Sequence, residues 1–216
     1  MSRTRDQLWS MIQAERTGLA EDLAGISNAQ WNLQSLCTNW TIQQTLAHLS
    51  AAASIGPFRW FTSVAGARFD FDLHNRRRLD EHLGSSPHET LQRFTQIIPS
   101  QVAPFGATEA WLGEVIVHAQ DIRVPLGLER QPSIDARTAV ARFYAAKDFA
   151  VPSKKNSTGL RLESTDGTFT TGTGPVVSGS TMDLVMAMAG REIFVDRLIG
   201  PGVETLRSRI TSLPWA

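Results

Sequence analysis

Residues 111–118 read Trp111-Leu112-Gly113-Glu114-Val115-Ile116-Val117-His118, and the spacing inside this stretch decides the fold class. Glu114 and His118 lie four apart, so on a helix they share one face. Leu112, Val115, Ile116 and Val117 beside them are apolar, which predicts a helix buried around most of its circumference. A carboxylate in such a helix is costly unless it is paired or binds a cation. From spacing alone two readings stand: a Glu-His helix pair of the kind also found on surfaces, or two ligands of one metal ion. Bundle cores build such metal sites from facing helices.

A third donor then has to come from elsewhere in the chain. The histidines are His48, His74, His82, His88 and His118. His74 and His82 sit in a charged run with Arg76, Arg77, Arg78, Asp80 and Glu81, as a surface segment would. His88 follows Ser86-Pro87 in a first helical turn, an exposed place. His48 differs: Leu46 and Leu49 anchor its helix, and Ala47, Ser50 and Ala51 leave room around an imidazole. It reads either as a ligand or as a hydrogen-bonded core histidine. Asp121, three residues beyond His118, can orient that imidazole from behind or pair with Arg123. Trp40, Trp60 and Trp111 read as core, and Cys37 as either a reactive thiol or a small buried apolar residue.

Working outward, apolar Leu8, Met11, Ile12, Leu19 and Leu23 predict a helix from about residue 5 to 23. A loop over 32–39 follows. Thr41 with Gln44 makes a capping box for a helix carrying Ile42, Leu46, Leu49 and Ala53, ended or kinked at Gly56-Pro57. Further helices are predicted over 72–83, 86–98 and 108–122, and one after Ser133. Beyond Val151-Pro152 the texture changes. Residues 153–157 read as a polar loop, 160–163 as a strand, Asp166-Gly167 as a hairpin turn and 168–171 as the returning strand. Gly172, Gly174, Pro175 and Gly179 break the chain, and 181–190 and 203–210 read as helices. The pattern predicts a helical bundle over 1–150 and a small α+β domain over 151–216.

Composition bounds the function. With 216 residues the chain can bury a substantial core. Lys+Arg and Asp+Glu stand at 21 each, so no field of one sign gathers nucleic acid or an anionic membrane, and neither is expected as a partner. One cysteine excludes an internal disulfide and fits a reducing compartment. The first residues carry charge with no apolar stretch behind them, unlike a secretory signal, and the longest apolar run, 184–189, is far short of the roughly 20 residues of a membrane helix. A cytoplasmic protein is expected.

Three segments resemble one family. Residues 31–49, WNLQSLCTNWTIQQTLAHL, resemble the loop-to-helix entry of the mycothiol-dependent maleylpyruvate isomerase family, part of the larger DinB-like group of metalloproteins. Residues 114–127, EVIVHAQDIRVPLG, look like that family's acid-x-x-x-His-x-x-Asp-Ile-Arg segment, closed by a Pro-Leu-Gly turn. Residues 174–191, GPVVSGSTMDLVMAMAGR, are similar to the end of the small C-terminal domain common among its members. Asn39 stands where the family usually has Gly, and Gln43-Gln44 where it has a basic-acidic pair; these departures touch the helix entry, not the ligand positions.

The resemblance implies a mainly α protein, a DinB-like four-helix bundle with a small C-terminal α+β domain. It implies that His48, Glu114 and His118 hold a divalent metal ion, usually zinc, with positions left open. It further implies mycothiol, a small intracellular thiol of actinobacteria, as cofactor or co-substrate. A divalent cation lowers the pKa of a bound thiol. In the isomerase the thiolate adds to an activated double bond, a bond rotates, and elimination gives the trans isomer; in related transferases it stays attached to an electrophile. The expected substrate is therefore a small electrophilic or unsaturated acid, in a monomer or homodimer. Arg191 matches a C-terminal arginine that either holds the substrate carboxylate bidentately or forms a salt bridge near a helix end. Competing readings are a metal-dependent hydrolase, a non-catalytic metal-binding stress-response module, and a non-haem iron site.

Overall fold

A computed structural model describes residues 3–54, 56, 71–103, 106–149 and 151–210, with the side chains of 71–75 outside the description. The chain divides into two compact units, Met1–Arg130 and Gln131–Pro214. It is mainly helical with one small sheet. No helix among the described residues is long and apolar enough to cross a membrane.

The first unit holds helices α1 (Arg5–Leu23), α2 (Asn28–Trp31), α3 (Ile42–Ala52), α4 (Phe71–His82), α5 (Pro87–Ile97) and α6 (Thr108–Arg123). Four of them close a ring of packing: α1 on α6, α6 on α3, α3 on α5 and α5 on α1, with α4 also against α3. Local chemistry starts most of these helices. Thr4 with Gln7 and Thr41 with Gln44 form capping boxes, and the Ser86 hydroxyl accepts from the Glu89 amide ahead of Pro87. Helix α6 has no side-chain cap at Ala107. Packing holds it instead: Leu112, Val115, Ile116, Val117 and Ile122 are buried on several sides, each such burial worth about 1.5–3 kcal/mol. This is the buried helix the opening stretch predicts.

Charge is threaded through the same core. Arg123 at the end of α6 is fully buried and pairs with Glu15 and, through Nε at 2.8 Å, with Asp22, both on α1. Asp22 also accepts from Arg130 at 2.7 Å. On the opposite flank of α1, the Arg16 guanidinium donates to the carbonyls of Ile97 and Ser100 at the end of α5, at 3.1 and 2.8 Å. The Ile97 carbonyl also accepts from the Ser100 amide at 3.0 Å, so Arg16 adds a donor from another helix to the turn that ends α5. Burial lowers its pKa to about 10.

The second unit holds α7 (Ile134–Ala146), α8 (Ser153–Ser157), β1 (Arg161–Ser164), β2 (Thr170–Thr171), β3 (Val176–Gly179), α9 (Thr181–Met188), α10 (Glu192–Val195) and α11 (Val203–Arg209). Strand order is β2-β1-β3, with β2 antiparallel and β3 parallel to β1. Helix α9 packs on β1, β3 and α7.

Three features differ from the sequence-based expectation. The division falls after Arg130, whereas texture placed it after residue 150. The apolar face of α7, with Ala136, Val140 and Ala141, is covered by α9, so this helix joins the α+β unit. Residues 153–157, expected as a loop, form a turn of helix whose Ser153 and Asn156 are buried. The glycine-rich run expected only to break the chain contains strand β3. Gly172 does make the turn that precedes it: its φ is +78°, and a Cβ there would collide with the Leu160 carbonyl oxygen. The expected helix end at Gly56-Pro57 and the expectation for Trp60 lie in part or wholly outside the described residues; α3 ends at Ala52.

Asp166 is more than a turn residue. Its Oδ1 accepts from the Thr181 amide at 2.8 Å, the Thr181 hydroxyl at 2.6 Å and the Ser164 hydroxyl at 2.8 Å, while Oδ2 accepts from Arg137 at 2.9 Å. One carboxylate thus ties β1 to the N-termini of α7 and α9. Burial pushes its pKa up, but these hydrogen bonds and Arg137 outweigh it and bring it from 3.8 down to about 2. A depressed carboxylate adds stability that is complete above the unfolded value and lost as pH falls through the folded one. After allowance for solvent screening this amounts to about 1–2 kcal/mol. Asp166→Asn is therefore expected to lower the denaturant midpoint at pH 6, with the gap to the parent protein closing between pH 4 and 2. A gap that stays constant through that window would mean the charge of Asp166 is not what stabilises the unit.

Candidate metal centre

Helices α3 and α6 pack together, and each presents an imidazole at their contact. His48 comes from α3, Glu114 and His118 from α6, the latter two one turn apart as their spacing requires. His48 Nε2 lies 2.8 Å from Glu114 Oε1, and His118 Nε2 lies 3.7 Å from the same oxygen. The two rings meet edge to face with centroids 5.0 Å apart. One ligand atom from each of the three residues falls within 4.8 Å of the others. Two ligands held at about 2.0–2.2 Å from a tetrahedral ion stand about 3.3–3.6 Å apart, so the 2.8 Å His48–Glu114 contact would open by about half an ångström or more to admit one.

The donor set fits a divalent ion on further grounds. Two imidazoles and a carboxylate suit zinc and its neighbours in the first transition row. The side chains of His48, Glu114 and His118 stay 15%, 21% and 13% exposed, so the group is reachable from outside rather than sealed. Asp121, fully buried, accepts at Oδ2 from His118 Nδ1 at 3.0 Å. A carboxylate can only accept here, so the proton sits on Nδ1 and the Nε2 lone pair is turned toward His48 and Glu114. Of the two partners weighed for Asp121, His118 is the one it meets; Arg123 turns to α1 instead.

Burial of His118 by itself would lower its pKa. The neighbouring Cys37 and Glu114 and the hydrogen bonds to Asp121 and Cys37 outweigh burial and raise it well above the ordinary histidine value. A metal ion therefore competes with a proton for this ring, and loading strengthens as pH rises.

The other candidates fall elsewhere. His88 is exposed, as its place in a first turn suggests. His82 lies half-buried beside Arg78, its Nε2 3.2 Å from a guanidinium nitrogen, and Arg78 itself is buried and paired with Glu81 rather than at the surface. Helix α4 carries His74, whose side chain is outside the description. Arg191 belongs to the second unit, buried, with Nη1 donating to the Ala189 carbonyl at 2.8 Å. Cys37 is buried, as the second of its two readings expects, but its sulfur is engaged with polar groups rather than only packed.

Two residues that the sequence reading named, but did not place at the site, stand beside the ligands. Trp40, expected in the core, is half-buried, and its ring lies tilted over His48 with centroids 4.7 Å apart. Cys37 Sγ stands 3.2 Å from Asp121 Oδ2 and 3.4 Å from His118 Nδ1. A signal existed in both cases: each lies in the short segment immediately before the helix that bears His48.

Residues 12–108 match the family model of the Mycothiol maleylpyruvate isomerase N-terminal domain. His48 lies inside the matched segment, while Glu114 and His118 lie beyond its end. Two crystal structures share the fold. The mycothiol-dependent maleylpyruvate isomerase in a mutant form superposes with a TM-score of 0.62 at 16% identity, covering 92% of this chain and 93% of that one. A second structure of the mycothiol-dependent maleylpyruvate isomerase gives a TM-score of 0.58 at 15% identity, with the same coverage of each chain. Comparison with curated proteins gives no match.

Proposed function

From the match of residues 12–108 to the Mycothiol maleylpyruvate isomerase N-terminal domain model, we propose that this chain is a metal-dependent enzyme that uses a small thiol, mycothiol, as cofactor or co-substrate. The observation that carries the reading is the convergence of His48, Glu114 and His118, three donors from two helices, each with part of its side chain exposed. Three protein donors leave coordination positions for an outside ligand, as in catalytic rather than structural zinc sites. A divalent ion held there, zinc in our assignment, lowers the pKa of a coordinated thiol so that its thiolate forms at neutral pH.

The chain's own residues set the conditions. Glu114 supplies one negative charge, which leaves the centre net cationic and attractive to an anionic sulfur. Asp121 holds the Nδ1 proton of His118 and fixes the direction of its Nε2 lone pair. Trp40 covers His48 and limits water on that side. We assign the substrate carboxylate to Arg191 on the sequence pattern, since a guanidinium binds a carboxylate in a two-point fork that Lys cannot reproduce. Isomerisation and S-transfer would both begin with attack of a thiolate on an electrophilic carbon of a small acid.

The test incubates zinc-loaded protein with mycothiol and either maleylpyruvate or a panel of electrophiles, following substrate loss with and without the thiol. Thiol-dependent loss, absent in His118→Ala, is the expected result. Turnover of esters or amides without thiol would replace this reading with that of a hydrolase, in which the same three donors activate water.

A further inference from the structure

We propose that Cys37 is a positioning residue of the metal centre, acting through Asp121 on His118. The proposal rests on the reading of His48, Glu114 and His118 as ligands and extends it by one layer of residues.

The geometry assigns the protons. Asp121 Oδ2 has Cys37 Sγ at 3.2 Å and His118 Nδ1 at 3.0 Å. Both donate to the carboxylate oxygen, so thiol and imidazole converge on one acceptor, and Sγ, 3.4 Å from Nδ1, also accepts weakly from the ring N–H. Cys37 and Asp121 are fully buried. A buried carboxylate keeps its place only through its hydrogen bonds, so a donor on one side of Oδ2 sets the angle available to the donor on the other.

The segment that carries Cys37 is built to hold the sulfur still. The Cys37 amide donates to Ser35 Oγ at 3.1 Å, and Ser35 Oγ in turn accepts from Thr45 Oγ1 of α3 at 2.8 Å and donates to the Trp40 carbonyl at 2.9 Å. Gln34 Nε2 donates to the carbonyls of Cys37 and Trp40, each at 2.7 Å. The Leu36 amide donates to the Asp121 backbone carbonyl at 3.0 Å, which ties the segment to α6 beside the carboxylate it serves. A sulfur that only filled space would not need its backbone and its partner's backbone locked together.

Cobalt(II) is the probe, because its visible spectrum reports ligand geometry and its affinity can be read by chelator competition. Measurements are made on the full chain for the parent, Cys37→Ala, Cys37→Ser and His118→Ala. Loss of an outer hydrogen bond to a metal-binding histidine commonly lowers affinity about 10–100-fold. Cys37→Ala is expected to lose affinity in that range and to change the d–d spectrum. Cys37→Ser, which restores an O–H donor at the same place, is expected to recover most of both. Parent-like affinity and spectrum in Cys37→Ala would overturn the proposal, as would equal losses in the Ala and Ser variants, since sulfur packing alone would then be at stake. A sulfur-to-cobalt charge-transfer band in the parent, absent in Cys37→Ala, would also overturn it by making Cys37 a ligand. Should Cys37→Ala fail to fold, the Ser variant decides alone: parent-like affinity with an unchanged spectrum supports the hydrogen bond, and a weakened, altered centre refutes it. Retention of cobalt by His118→Ala would instead defeat the ligand assignment itself, an outcome distinct from all of these.

Discussion

Purified His118→Ala is expected to carry no bound zinc where the parent carries about one equivalent, while its far-ultraviolet circular dichroism stays that of the parent. Removing the ring takes one of three donors and strands Asp121 without the N–H it accepts. The affinity loss should exceed the roughly 10–100-fold typical of an outer-layer change, because here the metal–nitrogen bond itself goes. The helix should survive, since Ala is the strongest helix former and α6 is held by Leu112, Val115, Ile116 and Ile122 rather than by His118. Two companions sharpen the test. His48→Ala removes a donor from the other helix and should match it. Glu114→Gln keeps shape but removes the ligand charge, so affinity should fall without the full loss. Elemental analysis checks all three; full metal content in both alanine variants would eliminate the site, and unchanged affinity in Glu114→Gln would make that residue structural.

Arg123→Ala is expected to destabilise the first unit by about 3–5 kcal/mol, the cost of breaking a buried ion pair from one side. Arg123 is fully buried and its guanidinium faces Glu15 and Asp22 across the α1–α6 contact. Burial already raises the Glu15 pKa from its ordinary value even though Arg123 opposes the shift. The pair is therefore costly to bury, and worse to leave half-made. Adding Glu15→Gln and Asp22→Asn to Arg123→Ala removes the charge stranded at Glu15 and the one at Asp22 that keeps only Arg130, and should restore part of the loss. Denaturant unfolding, followed by tryptophan fluorescence, reads each variant. Equal stability of the single and triple variants would mean that lost packing of the Arg123 stem, not uncompensated charge, accounts for the effect.

Much of this architecture was legible from local pattern. The capping boxes at Thr41 and the Ser86-Pro87 start mark helices whose chemistry is complete within four residues, and α3 and α5 begin where those signals stand. The apolar run around Glu114 and His118 announced a helix buried on several sides, and α6 is one. Elements that draw their stability from distant partners were read less well. Strand β3 sits among glycines and pairs in parallel with β1, with β2 between them in the chain, and Ser153–Ser157 is a helical turn because Ser153 and Asn156 are buried in the second unit.

By itself the sequence determined the pairing of Glu114 with His118 on one helical face, the singling out of His48 among five histidines, and the mainly helical class, because each follows from spacing or composition within one segment. Only the tertiary structure decided that His48 meets Glu114 at 2.8 Å and that Asp121 turns to His118 rather than Arg123. It alone placed Cys37 and Trp40 at the site and gave Ile134–Ala146 to the second unit. The physical reason is the same in each case. A helix advertises which residues share a face through its own periodicity, but what that face meets is set by packing between segments far apart in the chain, and no local pattern encodes it.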